Sequence, residues 1–267
     1  MPTRHGRHTS KRRSRRKRQG GKIVWFLILT LAAGLLSAYA LSQATGTSRA
    51  DDPGPSSTRT DGPDAGPAFE DTVVKIDVLG DSYTAGSTDG GRGAANWTRL
   101  VGTRLTDGGD TVELNVMAQP GAGYTTRGNA GLHFREIATL RLREDADIVL
   151  VQGSRNDGVQ TWDAMYTAAK SLYADIRTRA PGARVIAVGP AVDPVPDFVQ
   201  ANNDAMAQAA DEEGVRYVDA LADGWFSDGG TAFFSEDGIH PTDAGHEYLA
   251  ERIFPLLEGT LREIQPV

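Results

Sequence analysis

The feature that most constrains the fold is an alternation, through residues 71–267, of short runs of β-branched apolar residues with longer amphipathic stretches. The runs predicted as strands are 73–79, Thr111–Met117, Asp147–Gln152, Arg184–Val188 and Val215–Val218. The stretches predicted as helices are Asn96–Thr106, Gly131–Arg143, Thr161–Arg179, Phe198–Glu213 and Asp243–Leu257. Strands that alternate with helices pair in parallel and are covered on both faces. The pattern therefore predicts one α/β domain with a central, mostly parallel five-stranded sheet.

Three different segments are predicted before this domain. Residues 1–22 carry ten of the 28 Lys and Arg residues and no acid, which predicts a disordered basic tail. Residues 23–42 are uncharged and mostly apolar, and as a helix they would span about 30 Å, the thickness of a membrane's hydrocarbon core. We therefore expect one transmembrane helix at 23–42. Residues 43–70 are rich in Gly, Pro, Ser, Thr and Asp, which predicts a disordered linker.

The charge distribution predicts where the domain lies. Basic residues cluster before the apolar segment and the next one is Arg49, so the N-terminus is expected in the cytoplasm and the domain outside the cell membrane. Ala38-Tyr39-Ala40 resembles a small-x-small cleavage site, so a cleaved signal and a secreted domain are the alternative. After residue 22 the chain has 35 acidic and 18 basic residues, a net charge of −17, which argues against nucleic acid as a partner. The basic tail is expected to lie on anionic lipid headgroups.

Four polar loops carry residue types that suit acyl transfer by a serine. They are Gly80-Asp81-Ser82, Gln119–Thr125, Gly153–Asp157 and Asp237–Pro241. Such a reaction needs a nucleophilic hydroxyl, a base oriented by an acid, and donors for an oxyanion. Each loop alone also has a structural interpretation, since Asp and Ser cap helices, glycines form turns, and Asn forms Asx-turns. The combination favours the catalytic interpretation.

Taken in order, Gly80-Asp81-Ser82, Gly123, Asn156-Asp157 and Asp237-Gly238-Ile239-His240-Pro241 resemble the SGNH (GDSL-type) hydrolase family. The resemblance covers about residues 73–258. It implies a flavodoxin-like, three-layer α/β/α fold, with Ser82 as nucleophile, His240 as base and Asp237 as the acid that orients it. It also implies an oxyanion hole made by the Ser82 N–H, the Gly123 N–H and the Asn156 side chain. The third loop departs from the usual Gly-x-Asn-Asp, because Ser154 takes the place of the glycine.

The resemblance implies no metal and no organic cofactor. The chain has no cysteine, so a thiolate metal site and a Cys nucleophile are excluded, and no glycine-rich phosphate-binding motif supports a nucleotide. One rival interpretation of the last loop is a zinc site, because Asp237, His240, Asp243 and His246 recur every three residues.

The sequence thus predicts a monomeric, membrane-tethered extracytoplasmic serine esterase, acting on acyl esters of envelope glycan, glycolipid or lipid. Two alternatives from other classes stay open. One is an envelope glycan O-acyltransferase that uses the same three residues, with a sugar hydroxyl in place of water. The other is a catalytically silent carbohydrate-binding module with this fold.

Overall fold

A computed structural model describes residues 73–227 and 230–265. The strands in this part of the chain are β1 (Val74–Gly80), β2 (Val112–Ala118), β3 (Ile148–Gln152), β4 (Arg184–Val188) and β5 (Arg216–Val218). The α-helices are α1 (Ser82–Ala85), α2 (Trp97–Asp107), α3 (Phe134–Arg141), α4 (Trp162–Arg179), α5 (Asp197–Glu213) and α6 (Asp243–Ile264). Short 3₁₀ turns lie at Gly93–Ala95 and Gly230–Phe233.

The strands form one sheet in the order β2-β1-β3-β4-β5, and every strand pair is parallel. Gly80 at the end of β1 pairs with Ala118 of β2 and with Gln152 of β3, so these three strands end at the same edge. The chain moves to opposite sides of β1 when it forms β2 and β3. In open α/β sheets, ligands bind at such a switch point, outside the carboxyl ends of the strands. The loops after β1, β2 and β3 meet at that position.

Helices cover both faces of the sheet with separate apolar clusters. Helices α3, α4 and α5 contribute to the cluster that contains Leu79 of β1. Helices α2 and α6 contribute to the cluster that contains Ile76 and Val78. Neighbouring side chains of β1 join different clusters because successive residues of a strand point to opposite faces. Burial on both faces explains why the central strand β3 begins with the continuous apolar run Ile148-Val149-Leu150-Val151.

One charged residue lies inside this apolar sheet. Asp77 of β1 is 0% exposed, and its carboxylate accepts a 2.6 Å hydrogen bond from Arg143 Nε and a 2.9 Å bond from the Arg143 backbone N–H. Asn115 Nδ2 of β2 donates to the same carboxylate at 3.1 Å. A buried charge needs such partners, since unpaired it would lose its hydration without compensation.

The predicted parallel five-stranded sheet is confirmed, with small differences in the element boundaries. The last helix extends to Ile264 rather than Leu257, and the third begins at Phe134 because His133 caps it through its side chain. The single helical turn at Ser82–Ala85 was not predicted, because four residues are too few to show a helical period.

The predicted tail at 1–22, transmembrane segment at 23–42 and linker at 43–70 lie outside the described residues. Within residues 73–227 and 230–265, none of the helices combines the length and the apolar character needed to cross a bilayer.

Candidate active site

Ser82 lies two residues after the end of β1, at the first position of α1, and Gly80 before this turn can only be a small residue. A Cβ on Gly80 would lie 2.1 Å from Thr84 Oγ1, so the glycine lets α1 fold back against the end of the strand. Asp81 caps α1, since its side chain accepts the Tyr83 N–H at 2.9 Å. Ser82 is 8% exposed, and no group of the described residues accepts a hydrogen bond from its backbone N–H. The cap interpretation of Asp81 is therefore right, and it leaves the Ser82 N–H available to a ligand.

The carboxyl of Asp81 is buried beside this serine. Burial raises the pKa of Asp81 from 3.8 to about 6, although the hydrogen bond from the Tyr83 N–H acts in the opposite direction. The side-chain amide of Asn156, in the loop after β3, donates to Asp81 Oδ2 at 3.1 Å. Asp81 therefore connects the loops that follow β1 and β3.

Asp237 and His240 form a hydrogen-bonded pair in the loop before α6. Asp237 Oδ2 lies 2.6 Å from His240 Nδ1. Its other oxygen, Oδ1, accepts the backbone N–H groups of Ile239 at 2.7 Å and His240 at 2.9 Å, and the Ser235 hydroxyl at 2.6 Å. Burial alone would raise the pKa of Asp237, but the bonds from Ser235 and His240 outweigh it and the pKa lies below its usual value. An ionised Asp237 that accepts a hydrogen from Nδ1 leaves His240 Nε2 free to act as a base.

This loop is tied to the turn that carries Ser82. The hydroxyl of Tyr83, the residue after Ser82, donates a 2.7 Å hydrogen bond to the backbone carbonyl of Ile239, the residue before His240. A role for Tyr83 was not predicted from the sequence, because an aromatic residue beside a strand end is more often part of the core.

Asn156 donates both hydrogens of its side-chain amide to protein acceptors. One goes to Asp81 Oδ2 and the other to the Ala122 carbonyl at 2.9 Å. Ser154 joins the same group of contacts, since its hydroxyl donates to the Ala122 carbonyl at 3.1 Å and accepts the Asn156 N–H at 2.8 Å. A glycine at 154 would lack both bonds. The departure from the usual family residue thus fixes the backbone at Asn156 against the loop after β2.

Gly123, a predicted oxyanion donor, is bonded within its own loop. Its single amide hydrogen is donated to the Thr126 carbonyl at 2.9 Å. The glycine is also closely packed, because a Cβ there would lie 2.6 Å from the carboxylate oxygens of Asp157. That carboxylate accepts the N–H groups of Tyr124, Thr125 and Thr126.

Gly121 lies two residues earlier in the same loop. Among the described residues, none accepts the N–H of Gly121, which has a φ of 76°. A positive φ is typical of a glycine at a turn. The sequence Gly121-Ala122-Gly123 indicated such a turn, but it did not show which of the two glycines keeps a free N–H.

The four residues of the rival zinc site are not brought together. Asp243 Oδ1 accepts the Gly91 N–H at 2.9 Å, and His246 is buried with Nδ1 facing the Trp97 N–H at 3.4 Å. Among the residues that the structure describes, the group close enough to share an ion is Asp89, Asp237 and His240, whose ligand atoms lie within 4.8 Å of one another. Asp237 and His240 are therefore close enough to share an ion with Asp89, whereas Asp243 and His246 are not part of this group.

Comparison with known proteins finds a matching family and a related lipase. Residues 78–248 match the GDSL-like Lipase/Acylhydrolase family. The chain is 35% identical over 191 residues to the GDSL lipase Rv0518 of Mycobacterium tuberculosis, a match that covers 70% of this chain and 82% of that protein.

Solved structures of low sequence identity share the fold. TesA is 24% identical with a TM-score of 0.56, over 70% of this chain and 99% of that one. The lipase/acylhydrolase from Enterococcus faecalis is 20% identical with a TM-score of 0.57, over 70% of this chain and 96% of that one. The matched residues 78–248 contain the Ser82 turn and the Asp237–His240 pair. The chain therefore belongs to the GDSL-like lipase/acylhydrolase family and is a serine hydrolase of ester bonds.

Proposed function

We propose that the chain is a membrane-tethered, extracytoplasmic esterase that uses Ser82, His240 and Asp237 to hydrolyse acyl esters of the cell envelope. The observation that carries the catalytic part is the 2.6 Å pair of Asp237 and His240 on a loop that is bonded to the residue after Ser82. The tether and the location rest on the apolar segment at 23–42 and on its basic flank.

The proposed mechanism moves one proton at each step. His240 Nε2 takes the proton of the Ser82 hydroxyl while Oγ attacks the ester carbonyl, and Asp237 stabilises the imidazolium that forms. His240 then gives the proton to the leaving alcohol, and an acyl-enzyme remains on Ser82. Water, activated by the same imidazole, releases the acid and restores the serine.

We propose three donors for the oxyanion. The Ser82 N–H and the Gly121 N–H are supported by the lack of an acceptor among the described residues. The third donor is the Asn156 amide, which exchanges one of its two protein acceptors for the oxyanion. Gly121 replaces Gly123 in this assignment, because the Gly123 N–H is already bonded.

The catalytic part is tested by ester hydrolysis with the full chain in detergent micelles. Rates on p-nitrophenyl acetate, butyrate and octanoate are compared for the wild type, Ser82→Ala and His240→Ala. Each replacement should lower kcat by at least about 10⁴-fold. Ser171→Ala is the matched control, because Ser171 lies on α4, away from the switch point, and should leave the rates unchanged. Activity that survives in Ser82→Ala would refute the assignment.

The tether, the side of the membrane and the acceptor need separate measurements. The full chain should sediment with membranes, and protease added to intact cells should cut the linker at 43–70. A chain that is released into the medium, or is protected from protease, would refute the tethered topology. Product analysis with envelope glycan present separates the hydrolase from an O-acyltransferase, since the first yields free acid and the second yields acylated glycan.

A further inference from the structure

We propose that Tyr83 is a positioning residue, whose hydroxyl fixes the loop that carries His240 relative to the turn that carries Ser82. The inference rests on the proposed roles of Ser82 and His240. It concerns a residue that is next to Ser82 in sequence, is bonded to the residue before His240, and takes no part in bond making.

The contact joins the immediate neighbours of the two catalytic side chains. Tyr83 follows Ser82 in α1, and Ile239 precedes His240 in the loop before α6. The Tyr83 hydroxyl donates to the Ile239 carbonyl at 2.7 Å, across a separation of 156 residues in sequence. Because each end of this bond lies on the residue next to a catalytic side chain, we expect a change in the bond to alter the position of His240 relative to Ser82.

The loop that carries His240 is held firmly within itself. The Ser235 N–H donates to the His240 carbonyl at 2.8 Å, and the Gly238 N–H donates to the Ser235 carbonyl at 2.9 Å. Asp237 Oδ1 adds bonds from the Ile239 and His240 N–H groups. Such a loop moves as one unit, so its position depends on its contacts with the rest of the protein.

One hydrogen bond between described residues connects this loop to the α1 turn. In the described residues, the bond from Tyr83 to Ile239 is the only hydrogen bond that joins residues 235–241 to residues 80–86. The loop is otherwise exposed at Asp237, Gly238 and Ile239. Loss of the Tyr83 hydroxyl would therefore leave the internal hydrogen bonds of the loop intact and remove the hydrogen bond that fixes the loop relative to the Ser82 turn.

The phenol is suited to act as a constant donor. Tyr83 is 3% exposed, and burial raises the pKa of its hydroxyl well above the usual value, although the nearby Arg155 guanidinium opposes this. The hydroxyl therefore keeps its hydrogen at neutral and mildly alkaline pH.

Removing one hydroxyl should affect turnover far more than stability. The ring of Phe fills the same buried site, so Tyr83→Phe should shift the melting temperature by less than about 4 °C. A displacement of about 1 Å between reacting groups lowers rates by about 10²-fold. We therefore expect kcat per active site to fall by about 10- to 100-fold, with KM within about twofold of the wild type.

The test uses the full chain in detergent micelles, with active sites counted by a fluorophosphonate that labels Ser82. Counting sites removes any loss caused by unfolded molecules. Tyr217→Phe is the matched control, because the Tyr217 hydroxyl of β5 also makes a 2.7 Å hydrogen bond, to Asn203 Oδ1. Tyr217→Phe should keep kcat. An unchanged kcat in Tyr83→Phe, an equal loss in the control, or a Tyr83→Phe chain that does not fold would each overturn the proposal.

A double-mutant cycle separates positioning of His240 from a general effect on the Ser82 turn. If Tyr83 acts through His240, adding Tyr83→Phe to His240→Ala should not lower the rate of fluorophosphonate labelling further. An additional loss of about tenfold would overturn the proposed route. If Ser82→Ala keeps full activity, the proposed function itself fails, and this outcome is distinct from failure of the Tyr83 inference alone.

Discussion

The buried carboxyl of Asp81 links stability to pH in a way that one substitution can measure. Its pKa is about 6 in the folded protein, mainly because of burial, against 3.8 in an exposed chain. The folded state binds the proton more tightly, so the stability contributed by Asp81 is complete below pH 3.8 and is lost as the pH rises through 6. Two pKa units at about 1.4 kcal/mol each give a loss of about 3 kcal/mol by pH 7.

His246 acts in the opposite sense over the same range. It is 1% exposed, and burial lowers its pKa from 6.5 to about 4. The unfolded chain binds this proton more tightly, so the stability from His246 is present above pH 6.5 and is lost as the pH falls to 4. The two contributions offset each other in the wild type, and only a difference between variants isolates Asp81.

The variant to compare is Asp81→Asn, measured by urea unfolding of residues 50–267 at pH values from 4 to 7. Asn cannot titrate, and the amide group it turns toward Asn156 adds a penalty that does not depend on pH. The free energy of unfolding of Asp81→Asn minus that of the wild type should therefore rise by about 2–3 kcal/mol from pH 4 to pH 7. Ser171→Ala, which removes no titratable group, should give a flat difference. A flat difference for Asp81→Asn as well would show that folding does not raise the pKa of Asp81.

Three more outcomes are expected. Arg143→Met should lower the free energy of unfolding by about 3–5 kcal/mol in urea unfolding, because it leaves the buried Asp77 without its cation. Arg135→Met, whose partner Asp175 lies nearer the surface, should change it little, and equal losses would contradict this account. Asn156→Ala should lower kcat by about 10²–10³-fold with KM unchanged in ester assays, and an unchanged kcat would show that the amide is no oxyanion donor. EDTA should leave hydrolysis unchanged, because the proposed steps need no metal, whereas a loss restored by Zn²⁺ would indicate an ion held by Asp89, Asp237 and His240.

Local sequence was enough to predict the sheet and the Asp237–His240 pair. The strands are short apolar runs bounded by Gly, Pro and polar residues, so their positions depend on side-chain pattern alone, and β1 differs from its prediction by one residue at each end. The acid and the histidine are three residues apart, close enough for one tight turn to bring them within hydrogen-bonding distance. Both features are local and need no knowledge of the tertiary packing.

Hydrogen bonds between distant loops could not be predicted in this way. The contact of Tyr83 with Ile239 depends on how α6 and α1 pack at the same edge of the sheet. Whether Gly121 or Gly123 keeps a free N–H depends on the turn conformation of the loop after β2, because backbone direction rather than residue type decides where each hydrogen points. The resemblance to the family indicated this loop, but not which of its N–H groups is free in the structure.

The contacts of Asn156 determine what must change when substrate binds. Its backbone is fixed, since Ser154 Oγ accepts its N–H at 2.8 Å and donates to the Ala122 carbonyl. Both hydrogens of its side-chain amide are used, at 2.9 Å by the Ala122 carbonyl and at 3.1 Å by Asp81 Oδ2. If Asn156 stabilises the oxyanion, one of these bonds is exchanged for the substrate. The longer bond, to Asp81, is the one we expect to be exchanged, and Asp81 would keep the Tyr83 N–H as a partner. Asp81 thus orients the Asn156 amide before substrate binds, and it also caps the helical turn that begins at Ser82.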